Sequence, residues 1–151
     1  MYEIYTDGAT SKNGYEGAVG GAAFIILKND EKIVEWNKKI ESATNNICEM
    51  IAIITACEEI TSMLNDFDKV NIYSDSAYVI NCYKQFWWKA WLHNNWVNSK
   101  KEPVKNRELW EKLIPYFQDA RFEFIKVKGH AGNKWNELVD ELAVSAKWGE
   151  V

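Results

Sequence analysis

The sequence predicts an α/β fold: a single layered domain over residues 1–151, in which a mixed five-stranded sheet is flanked by helices. Three observations predict it. The first 40 residues contain three apolar segments separated by short turns, which indicates three antiparallel strands. The remainder alternates strand-like and helix-like segments, which predicts a strand–helix–strand unit and favours a layered domain over a barrel or sandwich. A chain of 151 residues is also long enough to bury one core without disulfides.

The first half of the chain is expected to form three strands and one helix. Apolar and β-branched residues mark the strands, and glycines or Asn29-Asp30 mark the turns. The predicted strands cover residues 2–7, 18–28 and 31–40, with a turn or loop over residues 8–17. Thr44-Asn45-Asn46 is typical of a helix N-terminus, because these side chains accept hydrogen bonds from free backbone N–H groups, and the helix extends to about Leu64.

The second half is expected to form two further strands and four helices. Dense apolar residues predict strands over residues 69–74 and 121–128. Helical spacing predicts the helices, which cover residues 76–83, 86–98, 105–118 and 134–148.

One short phrase occurs twice in the chain. Residues 4–9 read Ile-Tyr-Thr-Asp-Gly-Ala, and residues 72–77 read Ile-Tyr-Ser-Asp-Ser-Ala. Each is a strand-like run that ends at an aspartate before small residues, so each strand brings a carboxylate to the edge of the sheet. If the strands are neighbours, Asp7 and Asp75 lie side by side, and a metal ion or a shared proton relieves their repulsion. The alternative for each is an ordinary aspartate that caps the next turn or helix.

Glu49 and Asp140 are the other candidate carboxylates. Glu49 leads an otherwise apolar helical stripe, where a carboxylate is costly to bury unless it is paired or binds a metal. The stripe consists of Glu49, Ala52, Ile53, Ala56, Ile60, Met63 and Leu64. The alternative for Glu49 is an exposed first-turn position that suits the helix dipole. Asp140 shares a helix face with Asn136 and Lys147, which by itself indicates only the polar flank of an amphipathic helix.

His130 is a candidate for proton transfer. It lies between Gly129 and Ala131-Gly132, in a predicted loop. An exposed loop histidine suits proton transfer near neutral pH. The alternative is a turn histidine with no role in chemistry.

Aromatic and basic residues are interleaved over residues 84–107, which we call the Trp/Lys segment. It contains six basic residues and one acidic residue, in a chain whose net charge is −4. Because salt screens distant charges, such a local patch can bind phosphates, and basic residues among aromatic rings are typical of a nucleic-acid surface. The alternatives are a solvated helical face for the lysines and core packing for the tryptophans.

The composition narrows the classes of protein to which this chain can belong. Apolar residues are 47% and charged residues 26%, which is ordinary for a soluble globular protein, and no apolar run is long enough to span a membrane. Cys48, Cys57 and Cys82 fall in predicted helices beside apolar residues, which indicates free core thiols and a cytoplasmic location. With only two histidines, no Cys/His cluster has zinc spacing.

Taken in order, several motifs resemble those of type 1 ribonuclease H of the bacterial kind, over nearly the whole chain. They are Tyr5-Thr6-Asp7-Gly8-Ala9, Thr44-Asn45-Asn46-Ile47-Cys48-Glu49, Ser74-Asp75-Ser76-Ala77-Tyr78, Pro103-Val104-Lys105-Asn106, Val127-Lys128-Gly129-His130-Ala131-Gly132 and Asn136-Glu137 with Asp140. Each motif is a modest signal, but their joint occurrence is specific. The resemblance implies a ribonuclease H-like fold and an endonuclease that cuts the RNA strand of RNA–DNA hybrids, leaving 5′-phosphate and 3′-hydroxyl ends.

The resemblance also implies the catalytic groups. Asp7, Glu49, Asp75 and Asp140 would bind two Mg²⁺ ions, for which Mn²⁺ can substitute, and His130 would assist proton transfer or product departure. Carboxylate oxygens suit both metals. Two such ions can activate a water and stabilise the leaving oxygen of a phosphodiester.

The substrate-binding residues are likewise implied by the resemblance. The set is Gly8, Thr44, Asn45, Asn46, Trp87, Lys89, Trp91, Trp96 and Asn136, with Glu49 also facing the RNA strand. The Trp/Lys segment resembles the family's basic handle, which grips the DNA backbone. Two departures predict weaker affinity: Leu92-His93-Asn94-Asn95 replaces a run of basic residues, and Ala77 replaces a polar side chain.

Three other interpretations stay open. A nuclease of the same fold superfamily would cut duplex DNA, a hybrid-binding module would bind without cleavage, and a third takes the chain as the ribonuclease H domain of a reverse transcriptase. For the leading interpretation, a ribonuclease H that binds an RNA–DNA hybrid, we expect a monomer with no membrane partner.

Overall fold

Five strands and five helices occur in the described part of the chain, in the order that the sequence predicts. The computed structural model describes residues 1–11, 19–41, 44–127 and 133–147. The strands are β1 (Tyr2–Ser11), β2 (Val19–Lys28), β3 (Glu31–Glu41), β4 (Val70–Ser74) and β5 (Phe122–Lys126). The helices are α1 (Asn45–Thr61), α2 (Ala77–Gln85), α3 (Trp87–His93), α4 (Arg107–Phe117) and α5 (Lys134–Lys147). None of these helices combines the length and apolar character that a bilayer crossing requires.

The strands form one mixed sheet in the order β3-β2-β1-β4-β5, which confirms the predicted fold class. β1, β2 and β3 are antiparallel, whereas β4 and β5 run parallel to β1. Pairing between β1 and β4 ends where Tyr5 lies opposite Tyr73. Asp7 and Asp75 each follow two residues later, so the repeated phrases place both aspartates at one edge of the sheet.

β1 is longer than predicted. The sequence predicts a loop from Gly8 onward, but the strand continues to Ser11. Residues 8–11 pair with β2, from Gly8 opposite Ala22 to Ser11 opposite Val19. Small residues do not end this strand, because the antiparallel neighbour still satisfies its backbone groups beyond the point where β4 stops.

Helices cover both faces of the sheet. On one face, Ile4 and Phe24 join a core that includes α1 and the aromatic residues of α3 and α4. On the other face, Tyr5 and Ile25 pack against Val139 and other residues of α5. Alternate side chains of β1 and β2 therefore point to opposite layers, as the pleat requires. The three cysteines are free and buried, as the sequence predicts.

Two adjacent glycines of β2 let both layers approach closely. A Cβ on Gly20 would come within 2.2 Å of Cys48 Sγ in α1. A Cβ on Gly21 would come within 2.0 Å of the Ala143 carbonyl oxygen in α5. No side chain fits at either position without a shift of its neighbour, so these two glycines allow α1 and α5 to pack directly against the backbone of β2.

α1 begins where the sequence predicts and buries the first part of the predicted stripe. The Thr44 hydroxyl accepts a hydrogen bond from the Ile47 N–H at 3.2 Å. Glu49 is only 3% exposed, so the buried alternative is confirmed. The helix ends at Thr61, before a polar turn in which the Asn65 N–H donates to Asp68 at 2.8 Å. Met63 therefore lies outside the helix and does not extend the stripe.

The Trp/Lys segment forms short helices and turns, so the prediction of one helix over residues 86–98 is wrong. Phe86 separates α2 from α3, and its φ of 59° lies in the left-handed region. α3 ends at His93, and the Asn94 side chain accepts a hydrogen bond from the Val97 N–H at 3.3 Å. The periodicity of the tryptophans did not reveal these two interruptions, because apolar residues continue on both sides of each.

Candidate active site

Three acidic side chains meet at the edge of the sheet. Asp7 extends from β1, Asp75 follows β4, and Glu49 is in the first turns of α1. Each offers a carboxylate oxygen, and the three oxygens lie within 4.8 Å of one another. The Gly8 N–H donates a hydrogen bond to Asp7 Oδ1 at 2.9 Å, which fixes the orientation of that carboxylate. The repeated phrase and the helical stripe thus identify three groups that the fold brings together.

Asp140 joins this cluster from α5, on the opposite layer. Its side chain shares a hydrogen bond with Asp7. All four acidic residues line one open cleft of about 390 Å³. Four elements that are distant in sequence therefore contribute one carboxylate each.

The electrostatics of the cluster favour the protonated forms of Asp7 and Glu49. Burial, the Asp75 charge and the hydrogen bond with Asp140 raise the pKa of Asp7 to about 8. Burial, followed by the charges of Asp7 and Asp75, holds the pKa of Glu49 well above its usual range. The cluster is thus short of positive charge, which a divalent cation would supply.

The geometry of Glu49 tests whether a metal ion fits. Its Oε2 atom is buried and has no hydrogen-bond partner among the described residues. A buried carboxylate oxygen without a donor is costly unless a cation satisfies it. Clustered carboxylate oxygens are also the ligands that Mg²⁺ and Mn²⁺ prefer. The donor set therefore fits a divalent cation.

Several predicted substrate-binding residues surround the cleft. Gly8, Asn45 and Asn46 line it beside the acidic cluster. Asn136 lines a narrow adjoining pocket with Asp7, Asp75 and Asp140. Thr44 lies at the start of α1, where its hydroxyl caps the helix. His130 lies outside the described residues.

The tryptophans of the Trp/Lys segment require a correction. Trp91 and Trp96 are 9% and 8% exposed, and their rings pack against each other and, for Trp91, against Trp110. They are core residues, because α3 turns this side toward α4. Trp87 is 38% exposed, and Lys89 is exposed as well. Trp91 still lines part of a groove in this segment, but most of its side chain, like that of Trp96, is not accessible to a ligand.

A groove of about 560 Å³ adjoins the Trp/Lys segment, and Trp87, Val104 and Lys105 contribute to its walls. Tyr78 lines both this groove and the acidic cleft. Its hydroxyl accepts hydrogen bonds from the Asn106 side chain at 3.2 Å and from the Trp110 indole at 3.3 Å. The site prediction omitted Tyr78, although it lies three residues after Asp75. A tyrosine within a motif that otherwise contains small residues was the available signal.

Fold and cleft together define an α/β protein whose candidate active site is a cluster of carboxylates. The family model described as RNase H matches residues 1–147. A Ribonuclease H from Clostridium botulinum (strain Hall) is 43% identical over 143 residues, which cover 95% of this chain and 93% of the relative. A Ribonuclease H from Thermoanaerobacter sp. (strain X514) is 43% identical over 95% of this chain and 87% of its own length. The chain belongs to the RNase H family and is an endoribonuclease.

Solved structures agree with this assignment. LC9-RNase H1, a type 1 RNase H with the type 2 active-site motif, superposes with a TM-score of 0.82 at 25% identity, over 99% of this chain and 73% of that one. LC11-RNase H1, solved in complex with RNA/DNA hybrid, superposes with a TM-score of 0.73 at 22% identity, over 99% and 98% of the two chains. The predicted resemblance to type 1 ribonuclease H is confirmed.

Proposed function

We propose that this enzyme hydrolyses the RNA strand of RNA–DNA hybrids and leaves 5′-phosphate and 3′-hydroxyl ends. The observation that carries the proposal is the convergence of Asp7, Glu49, Asp75 and Asp140 on one cleft, with a buried Glu49 oxygen for which no described residue is a donor. Four carboxylates are more than a binding surface for a polyanion would contain, because they repel phosphates in the absence of cations.

Two Mg²⁺ ions, or Mn²⁺ in their place, would be held by these four carboxylates. When bound, a pair of such ions activates a water and stabilises the leaving oxygen of an in-line displacement. Asp7 and Glu49, whose pKa values are raised in the metal-free protein, would release their protons as cations enter. We also propose that His130 assists proton transfer or product departure, on the basis of its sequence motif.

Recognition of the hybrid is proposed to involve both strands. Gly8, Asn46 and Glu49 would face the RNA strand, whose 2′-hydroxyls distinguish it from DNA. Thr44 and Asn45 would contact the DNA strand at the start of α1. The groove lined by Trp87 and Lys105, which Tyr78 connects to the acidic cleft, would hold the DNA backbone. Lys89 would supply a further positive charge from the surface of the same segment. The complex of LC11-RNase H1 with RNA/DNA hybrid supports this substrate class.

A cleavage assay with three substrates tests the proposal. The protein is incubated with end-labelled RNA–DNA hybrid, duplex DNA or duplex RNA, with Mg²⁺ or with EDTA. We expect cleavage of the RNA strand of the hybrid alone, only with Mg²⁺, and none by Asp7→Asn. Cleavage of duplex DNA would favour an integrase-like nuclease instead. Hybrid binding without cleavage at any metal concentration would favour a binding module and overturn the proposal.

The active form is proposed to be a monomer in a reducing compartment such as the cytoplasm. One chain supplies all four carboxylates of the cleft, so no partner subunit is needed to complete it. Light scattering at the concentration of the cleavage assay tests the oligomeric state. A ribonuclease H domain of a reverse transcriptase would give the same result in both assays.

A further inference from the structure

Two stacked tyrosines connect the strands that carry Asp7 and Asp75. Tyr5 and Tyr73 are register partners in β1 and β4, and their ring centroids are 4.7 Å apart with an interplanar angle of 18°. Each tyrosine precedes an aspartate by two residues. Because side chains alternate along a strand, Tyr5 and Asp7 of β1 point to the same face, which is the face that α5 covers. Asp75 follows directly after the end of β4.

The Tyr5 hydroxyl extends this connection to α5. It accepts a hydrogen bond from Asn133 Nδ2 at 3.4 Å. Asn133 also caps α5, since its Oδ1 atom accepts from the Trp135 and Asn136 N–H groups at 2.8 and 3.1 Å. One asparagine side chain thus contacts both β1 and the start of the helix that carries Asp140.

Asn133, Asn136 and Asp140 follow one another at spacings of three and four residues, so they share one face of the helix. A cap fixes the position and rotation of the first turn of a helix. A change in the position of Asn133 is therefore transmitted along α5 to Asp140. The hydrogen bond between Tyr5 and Asn133 defines where α5 begins relative to β1.

We propose that Tyr5 and Asn133 are positioning residues for the metal-binding aspartates. The Tyr5–Tyr73 stack fixes β1 against β4, and the Tyr5–Asn133 hydrogen bond fixes α5 against both. The side chains of Asp7, Asp75 and Asp140 are thereby held at the separation that divalent cations require. This inference rests on the proposed function, because it assumes that these aspartates bind cations.

The role of the Tyr5 hydroxyl can be tested separately from that of the Tyr5 ring. Tyr5→Phe keeps the stack on Tyr73 and removes only the hydrogen bond to Asn133. Asn133→Ser keeps a hydroxyl that can cap α5, but this side chain is too short to reach Tyr5. Tyr116→Phe is the matched control. Its hydroxyl is also hydrogen-bonded to a side chain, that of Thr61, and its ring packs on Phe122 at the opposite end of the sheet from the cleft.

The measurements are Mn²⁺ binding by isothermal titration calorimetry and the Mg²⁺ dependence of hybrid cleavage. We expect Tyr5→Phe and Asn133→Ser each to weaken Mn²⁺ binding by about tenfold, the low end of the effect of groups that orient metal ligands. The Mg²⁺ concentration for half-maximal rate should rise in parallel, while KM for the hybrid at saturating Mg²⁺ stays unchanged. Both variants break the same hydrogen bond, between Tyr5 and Asn133. The double variant should therefore bind Mn²⁺ no more weakly than the weaker-binding single variant does.

Two results would overturn the inference. One is Mn²⁺ affinity in both single variants equal to that of Tyr116→Phe. The other is a double variant whose loss is the product of the two single losses, because the residues would then act independently. If the wild-type protein itself binds no Mn²⁺, the proposed function fails rather than this inference.

Discussion

Gly8 lies against the backbone of Glu49, so closely that a Cβ on Gly8 would come within 2.6 Å of the Glu49 nitrogen. This approach brings the first turns of α1 against β1. Glu49 can reach Asp7 only because no side chain separates the two backbones. The glycine that follows the first aspartate is therefore a structural requirement of the acidic cluster.

Gly8→Ala should destabilise the protein and weaken metal binding together. We expect a loss of about 1–3 kcal/mol in the free energy of unfolding, as for other overpacked sites. The control is Gly20→Ala, whose Cβ would meet the Cys48 sulfur at 2.2 Å, closer than any backbone atom. Cys48→Ala should partly rescue Gly20→Ala but not Gly8→Ala in denaturant titrations. Equal rescue of both would show that α1 can move away from β1 at low cost.

The stability of the metal-free protein should depend on pH through Asp7. Its pKa is about 8 in the folded protein, above the ordinary value of 3.8. Between these values the folded state retains a proton that the unfolded state has released, so the contribution to stability is lost as pH rises through this window. In EDTA, wild type should therefore lose stability relative to Asp7→Asn between pH 4 and pH 8, and Mg²⁺ should restore it.

Asp119 provides a control of opposite sign for that experiment. A hydrogen bond from Arg121 lowers the pKa of Asp119 below its usual range. Its contribution is present above the unfolded pKa and is lost as pH falls. Asp119→Asn should thus be less stable than wild type at neutral pH and approach it in acid. If the stability of wild type in EDTA varied with pH in parallel with that of Asp7→Asn, the raised pKa of Asp7 would be contradicted.

Trp91 and Trp87 should separate stability from binding. Trp91 is buried against Trp96 and Trp110, so Trp91→Ala should lower the free energy of unfolding by about 3–5 kcal/mol. Trp87 is 38% exposed at the groove, so Trp87→Ala should leave stability nearly unchanged and weaken hybrid binding. Denaturant titration measures the stability of both variants, and fluorescence anisotropy of a labelled hybrid in EDTA measures their hybrid binding. Normal hybrid affinity in Trp87→Ala would remove this ring from the binding surface.

Lys89 should contribute to the salt dependence of hybrid binding. Its Nζ atom lies 4.4 Å from the centroid of the Phe86 ring, which holds the charge at the surface of the Trp/Lys segment. If it neutralises one phosphate, Lys89→Ala should reduce the slope of log Kd against log salt concentration by about 1. Lys32→Ala is the control, since Lys32 lies on β3 and pairs with Glu35 at 2.6 Å. Identical slopes for the two variants would assign Lys89 no phosphate contact.

Sequence patterns predicted the part of the site that depends on local geometry. The repeated phrase identified Asp7 and Asp75, because identical strand endings in neighbouring parallel strands must meet at one edge. The apolar stripe identified Glu49, because a helix buries one face. Asp140 did not stand out in this way. Its proximity to Asp7 depends on how α5 packs across the sheet, which periodicity does not specify.

In the Trp/Lys segment, sequence patterns predicted helical structure but not which side chains are exposed. Helical spacing placed Trp87 and Trp91 on one face but did not determine whether that face is exposed. The turns at Phe86 and after His93 rotate α3 so that Trp91 enters the core while Trp87 stays at the surface. Left-handed backbone at a phenylalanine is rare enough that no local pattern would predict it.

The origin of the acidic cluster in four separate elements has a consequence for protein synthesis. A ribosome that has completed β1, β2, β3 and α1 has made only Asp7 and Glu49 of the cluster. Asp75 joins them after a long chain closure, and Asp140 requires α5. If these carboxylates act as proposed, a nascent chain gains the ability to cleave RNA only when its tertiary structure is complete.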